Sequence, residues 1–447
     1  MKKYVRFTKY GRRLLCAMLI ASAVLIGACY GPSHETGGGI ESPVQKLQTP
    51  AGTAEPQPQT PEAASSAGGI PTMRIPEATL PAGGIPTTQI PEATHATAAP
   101  VPATLPPAPT PSVPKDQAEQ ILSEMSLEEK VGQMFIARCP GENAAEYAEA
   151  YHLGGYILFA QDFENRTKAQ AAEMIRRYQQ AAGIPMLIAV DEEGGTVNRV
   201  SRFPQFRQEP FRSPQALFRD GGFDAVRGDA AEKCMLLHEL GINVNFAPVA
   251  DVSLSPEDFI FRRTFGQDAD QTAKYIETVV EAMREQKMGS VLKHFPGYGN
   301  NADTHTGIVH DSRSYENFVI SDFLPFQAGI DAGADMVLVA HNIVDCMPSR
   351  YPASISPEVH EILRKILHFN GVIVTDELNM SGVRDFAEDG EVAILAVKAG
   401  NDLLCCTNFD TQIPAVLEAV RAGLISEERI DGSVLRILKM KISLGIL

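Results

Sequence analysis

From residue 115 onward, short unbroken apolar runs alternate with longer stretches in which apolar residues recur every three or four positions. A run bounded by turn residues reads as a strand buried on both faces, and the wider spacing reads as amphipathic helix. The runs predict eight strands, at Gln133–Arg138, Gly155–Gln161, Pro185–Asp191, Asn243–Val249, Ser290–His294, Met336–His341, Gly371–Asp376 and Asp402–Thr407. Between them, Lys168–Ala182, Thr272–Lys287 and Pro357–Leu367 carry helical spacing. Ahead of the first strand, Ser126 with Glu129 three residues on marks a helix start by a capping box. Eight strand-helix units predict an α/β fold, a (β/α)8 TIM-type barrel over residues 115–447, with an open doubly wound sheet as the alternative.

The ends of these runs are polar. The third finishes on Asp191, the fourth runs on to Asp251, the fifth finishes on Lys293 and His294, the sixth on His341 and the seventh on Asp376. Strands must emerge into water somewhere, so one polar end means little. Five of them in a parallel barrel converge on the face where active groups sit.

The N-terminal quarter is different material. Lys2, Lys3, Arg6, Lys9, Arg12 and Arg13 precede the apolar run LLCAMLIASAVLIGAC, which reads as a secretory leader over residues 1–28. The run is too short to favour a lasting membrane span. Ile26-Gly27-Ala28-Cys29 resembles a bacterial lipobox, which implies that Cys29 is acylated and becomes the new N-terminus. Ordinary cleavage nearby, with Cys29 incidental, is the competing reading. Residues 29–114 are rich in Pro, Thr and Ala and hold a tandem repeat, AGGIPTMRIPEATLP followed by AGGIPTTQIPEATHA, over 67–96. Such frequent proline forbids helices and sheet ladders, which predicts a disordered spacer. At roughly 3 Å per residue when extended, it could hold a domain on the order of 100 Å or more from an anchor.

Charge and cysteine content narrow the chemistry. The net charge of −16 argues against nucleic acid as a partner. Of seven cysteines, Cys16 and Cys29 belong to the leader, and the other five are scattered without metal-type spacing, which reads as core packing. The chain has no tryptophan, so an indole sugar platform is not expected.

The densest chemistry lies in KHFPGYGNNADTH, residues 293–305, where a lysine, two histidines and an aspartate surround a Pro/Gly-rich turn. By residue type alone it could bind a metal, cradle a phosphate or move protons. His294 and His305 lack the close pairing of common zinc motifs, and no Walker pattern is present.

MSLEEKVGQM (125–134), AVDEEGGTVNR (189–199), NFAPVADV (245–252), RRTFG (262–266), KHFPGYG (293–299), the ADTH closing that loop, GVIVTDELNM (371–380) and AGNDLL (399–404) occur in order. Together they resemble family 3 glycoside hydrolases, in the single-domain bacterial β-N-acetylhexosaminidase branch, across essentially the whole globular part. The resemblance implies that Asp376 is the nucleophile of a retaining reaction, forming a glycosyl ester at the anomeric carbon. It implies that His305 is the general acid/base and Asp303 its partner, an imidazole in place of the second carboxylate that many glycosidases use. The Gly/Asn-rich loop before His305 would let it swing over a bound sugar. Two-domain relatives take this group from a second domain; the chain ends soon after its eighth unit, so the barrel's own loops are expected to supply it. Asp191, Arg199, Arg263, Lys293 and His294 match residues that hold the non-reducing sugar, a carboxylate accepting from hydroxyls and cations donating. Ion pairs bracing the barrel mouth are the plainer reading of the same residues. His341 either lines the site or braces the barrel. Glu377 is excluded from the barrel mouth because neighbours on a strand face opposite ways.

Two departures stand out. Tyr298 gives PGYG where the branch commonly has PGHG, and AVDEEGG replaces AVDQEGG. The expected activity is that of an exported, lipid-anchored, monomeric exo-β-N-acetylglucosaminidase acting on carbohydrate from the cell wall, with no metal or cofactor. The alternatives are a β-glycosidase for unacetylated sugars, a phosphorolytic relative, a metal-dependent hydrolase, and a non-catalytic wall-binding lipoprotein.

Overall fold

The computed structural model describes residues 116–304, 306–347 and 350–447. The leader, Cys29, the repeat-bearing spacer and His305 lie outside the described residues. Ten strands are present among the described residues: β1 (Phe135–Arg138), β2 (Gly155–Leu158), β3 (Leu187–Val190), β4 (Val244–Asn245), β5 (Gly289–Phe295), β6 (His310–Asp311), β7 (Met336–Val339), β8 (Ile343–Val344), β9 (Val372–Thr375) and β10 (Leu404–Cys406). Eight of them form one parallel sheet in the order β10-β1-β2-β3-β4-β5-β7-β9. A parallel bridge between Val374 and Leu403 joins the two ends, and the Thr375 N–H donates to the Leu403 carbonyl at 3.1 Å. The sheet therefore wraps into a (β/α)8 barrel, and the open-sheet alternative falls. The short parallel pair β6–β8 sits apart from the barrel sheet.

Each predicted strand is found; seven are trimmed at one or both ends, because apolar burial extends further than ladder pairing, and the fifth runs one residue longer at each end, as Gly289–Phe295. β4 is trimmed most, to Val244–Asn245. Pro248 has no N–H to give the ladder, and only a bridge between Val249 and Lys293 continues the pairing. β2, β3 and β9 are buried along their whole length, as strands covered on both faces should be. The helix at Leu127–Gln133 starts with the expected capping box: the Ser126 side chain accepts from the Glu129 N–H at 3.2 Å, and Glu129 Oε2 accepts from the Ser126 N–H at 2.8 Å. Helices at Lys168–Ala181 and Ala269–Glu285 occupy two predicted stretches. In the third, Pro357–Glu361 is α-helical and Ile362–Ile366 widens into a π turn.

A charged cluster braces the N-terminal end of the barrel. Asp402, just before β10, is fully buried. It accepts from Ser433 Oγ at 2.7 Å, the Ile373 N–H at 3.0 Å, Arg436 Nη1 at 3.1 Å and Arg364 Nη2. Ile373 belongs to β9, so this carboxylate fastens the seam where the sheet closes. At the same end, fully buried Lys441 donates to Gln133 Oε1 at 2.7 Å, and burial pushes its ammonium down to about 7. The five thiols are free; Cys139, Cys234, Cys405 and Cys406 are buried, and Cys346 is partly exposed, which departs from the core reading. No helix among the described residues is long and apolar enough to cross a membrane.

Candidate active site

The loops that follow the strands build the site, and the stretch after β3 shows how. Asp191, Glu192 and Glu193 are consecutive, yet each does something different. Asp191 Oδ1 accepts from Lys293 Nζ at 2.6 Å. Glu192 turns inward and is fully buried. Its Oε2 accepts from the N–H groups of Arg199 and Val200, both at 2.8 Å, and its Oε1 accepts from the N–H and hydroxyl of Ser201. That carboxylate folds the 197–201 segment so that Arg199 faces the cavity. Both oxygens accept, which explains why Glu suits a position where an amide would offer one oxygen and one NH2. Glu193 bridges cations: its Oε1 meets Lys293 Nζ and Arg263 Nη2 at 2.7 Å each, and its Oε2 meets Arg263 Nε at 3.0 Å. Gly194, at φ 99, allows the turn; a Cβ there would lie 2.3 Å from the Arg212 carbonyl oxygen.

β5 delivers Lys293 and His294, and both are buried. The Nη2 of Arg263 also reaches His294 Nε2 at 3.1 Å, while His294 Nδ1 lies 2.7 Å from Asp251 Oδ2. A guanidinium only donates, so Nε2 accepts and the proton sits on Nδ1, donated to Asp251. Burial pushes the Glu193 carboxyl up, but Arg263 and Lys293 outweigh it and hold it well below the usual carboxylate range. Burial likewise disfavours the Arg263 cation, and Glu193 more than restores it. Asp191 keeps capacity on its other oxygen, where Arg199 Nη2 lies 4.0 Å away. This site can therefore offer a carboxylate acceptor beside several fixed donors, a combination suited to vicinal hydroxyls.

Asp191, Arg199, Arg263, Lys293, His294 and Asp376 all line one cavity of about 330 Å³. Asp376 follows the last paired residue of β9; its N–H donates to the Val339 carbonyl at 3.0 Å, which fixes its backbone to β7. Glu377 lines the same cavity, which corrects its exclusion. The alternation rule holds only within a ladder, and β9 ends at Thr375. Burial raises the Glu377 carboxyl above its ordinary value, and Thr407 Oγ1 donates to its Oε2 at 3.2 Å. His341 stands outside the cavity lining and is fully buried, with Nδ1 2.7 Å from Ser354 Oγ and Nε2 2.9 Å from the Glu377 carbonyl oxygen. It braces the turn that carries Asp376 and Glu377. Asp303 is half-buried and outside the cavity lining. Its neighbour Thr304 is fully buried against Tyr298.

Sequence reasoning missed Glu193, the orienting role of Asp251, and the pair Arg138 and Phe159. Arg138 ends β1, so the rule of polar strand ends could have found it. Its guanidinium stacks on the Phe159 ring at 4.6 Å, with Arg199 over the same ring at 5.5 Å. Both Arg138 and Phe159 line the cavity. Among the described residues no group of three or more His, Cys, Asp or Glu is disposed to hold a metal ion.

Residues 126–440 match the family described as glycosyl hydrolase family 3 N terminal domain. Over 342 residues the chain is 31% identical to a β-N-acetylglucosaminidase/β-glucosidase of Cellulomonas fimi, an alignment covering 73% of this chain and 59% of that protein. It is 30% identical over 349 residues to the β-hexosaminidase LpqI of Mycobacterium tuberculosis, covering 74% of this chain and 87% of the relative. Among solved structures, a family 3 β-N-acetylglucosaminidase from Paenibacillus sp. str. FPU-7 superposes with a TM-score of 0.67 at 31% identity, over 72% of this chain and 63% of that one. The chain thus spans less than two thirds of the Cellulomonas and Paenibacillus proteins.

Proposed function

The chain belongs to glycosyl hydrolase family 3, and from that premise we propose that it is a retaining exo-β-N-acetylglucosaminidase. It removes terminal β-linked N-acetylhexosamine from cell-wall fragments. Asp376 attacks the anomeric carbon as the glycosidic bond breaks, and His305, partnered by Asp303, gives its proton to the departing oxygen. Water then attacks the glycosyl ester while His305 takes back a proton, which frees Asp376 and leaves the anomeric configuration unchanged. Asp191, Arg199, Arg263, Lys293 and His294 hold the sugar in position, and a cavity of about 330 Å³ suits removal of one terminal unit. The observation that carries the reading is that Asp376 shares one cavity with all five of these polar residues.

The test is hydrolysis of an aryl β-N-acetylglucosaminide by the parent, Asp376→Ala and His305→Ala, with product stereochemistry followed by NMR. Full activity in Asp376→Ala, or an inverted product, rejects the mechanism. A second reading, cleavage of unacetylated β-glucosides in the same cavity, is favoured by the double name of the Cellulomonas relative; the ratio of kcat/KM on the two aryl glycosides decides it. The lipobox supports placing the enzyme outside the cytoplasm on a lipid anchor at Cys29. Fatty-acid labelling that persists in Cys29→Ser would remove that part.

A further inference from the structure

Tyr298 belongs neither to the sugar-holding network nor to the reacting pair, yet it touches the surroundings of both. Its backbone N–H donates to Asp251 Oδ1 at 2.7 Å, and Asp251 Oδ2 is the acceptor that fixes His294. Its ring meets the His294 imidazole edge-on at 5.4 Å. At its far end, the phenol accepts from the Thr304 N–H at 3.1 Å and shares a 2.6 Å hydrogen bond with Thr304 Oγ1. Thr304 is fully buried and lies in sequence between Asp303 and His305. The Thr304 carbonyl accepts from the Gly382 N–H at 3.2 Å, in the segment that follows Asp376.

The base of the tyrosine is held as firmly as its tip. Arg313 Nη2 donates to the Gly297 carbonyl at 2.9 Å, while its Nη1 and Nε reach Asp322 and Asp311 at 2.9 and 3.0 Å. Gly299 sits at φ 53, and a Cβ there would come within 2.4 Å of Arg313 Cζ, so the turn lies flat on the guanidinium. Burial pushes the Tyr298 phenol up to about 12; its bonds to Thr304 act the other way, and the negative charges of Asp376 and Asp303 add to the rise. The group therefore stays a neutral hydroxyl throughout the range in which carboxylates and imidazoles titrate, and both carboxylates lie within electrostatic reach of it.

We infer that Tyr298 is a positioning residue: its hydroxyl is the fixed peg on which Thr304 hangs, and it fixes the Asp303–Thr304 backbone that leads in sequence to the proposed acid/base. The inference rests on the acid/base reading above. Removing the hydroxyl leaves two buried polar groups of Thr304 without this partner, and the segment must shift to satisfy them.

The experiment compares two β-N-acetylglucosaminides, a dinitrophenyl glycoside whose phenolate departs without a proton and an alkyl glycoside that needs one. Tyr298→Phe should lower kcat/KM on the alkyl substrate by roughly tenfold or more and on the dinitrophenyl substrate by less than about threefold. Thr304→Val, which removes the other end of the same contact, should reproduce that selectivity, and the double variant should add little. Equal losses on both substrates, or no loss on the alkyl one, overturn the inference. His305→Ala in parallel keeps the two claims apart. If it is itself unselective, the acid/base reading fails; if it is selective and Tyr298→Phe is not, only the role of Tyr298 falls.

Discussion

At the closed, N-terminal end of the barrel, Asp402 accepts from a serine, a backbone N–H and two arginines, with Arg429 Nη1 a further 3.9 Å away. At the open end, Asp191 holds Lys293 on one oxygen and keeps Arg199 at 4.0 Å from the other. Both are carboxylates at the margin of a parallel strand. One has its acceptor capacity filled from within the chain and lies outside the site cavity; the other has capacity to spare and lines that cavity. Charge that is fully satisfied internally fastens a fold, whereas charge left partly satisfied beside a void is available to a ligand. Glu193 lies between these extremes, saturated by Arg263 and Lys293 yet lining the cavity.

Substitutions at the two ends should separate activity from stability. The largest effect is expected for Asp376→Asn, a loss of roughly 10⁴-fold or more in hydrolysis of an aryl β-N-acetylglucosaminide, with Tm changed by no more than about 2 °C. A large fall in Tm would show that the open end also fastens the fold. Next comes Asp402→Ala, which strands arginines that lose their counter-ion and should cost about 3–5 kcal/mol in urea unfolding, while kcat of the folded enzyme stays within about twofold. Glu193→Gln should do some of both, about tenfold in kcat/KM and roughly 2 kcal/mol in stability. Because its carboxyl is held below its ordinary 4.5, the stabilisation is complete above that pH and is lost as pH falls below it, so the deficit of the variant should shrink in acid.

The gentlest effect, counted per unit of pH, sharpens the comparison at the closed end. Lys441 is near 7 in the fold and 10.5 when exposed, so between those values the unfolded chain holds a proton that the folded chain lacks. Stability from this group therefore rises with pH across that window, by up to about 1.4 kcal/mol per unit. Lys441→Met should raise Tm most below pH 7 and progressively less toward pH 10. A gain independent of pH would show that Lys441 keeps its ordinary 10.5 in the fold and stays charged there.

Strand existence was legible because each barrel strand is an apolar run; strand length was not, since a run records burial and a ladder needs N–H groups that Pro248 lacks. The polar residues of the cavity were legible through ordered motifs and polar strand ends, and the cavity collects Asp191, Arg199, Arg263, Lys293, His294 and Asp376. What stayed hidden was pairing across distance. Glu193 finds Arg263 seventy residues on, and Asp251 finds His294 forty-three residues on, spacings that no local pattern encodes. Glu377 was misjudged by extending a strand rule past Thr375. The acceptor role of Glu192 became intelligible only with the 197–201 segment folded around it.

The unpaired thiols have a practical consequence. Cys139 follows β1, and Cys405 and Cys406 belong to β10, so these three flank the region where the first and last barrel strands run side by side. A maleimide added to the native enzyme should consume Cys346 at once and wait for the others until that region opens. Their slower alkylation, resolved by peptide mass, would time the opening of one defined stretch of the cylinder in a protein that has no indole to report it.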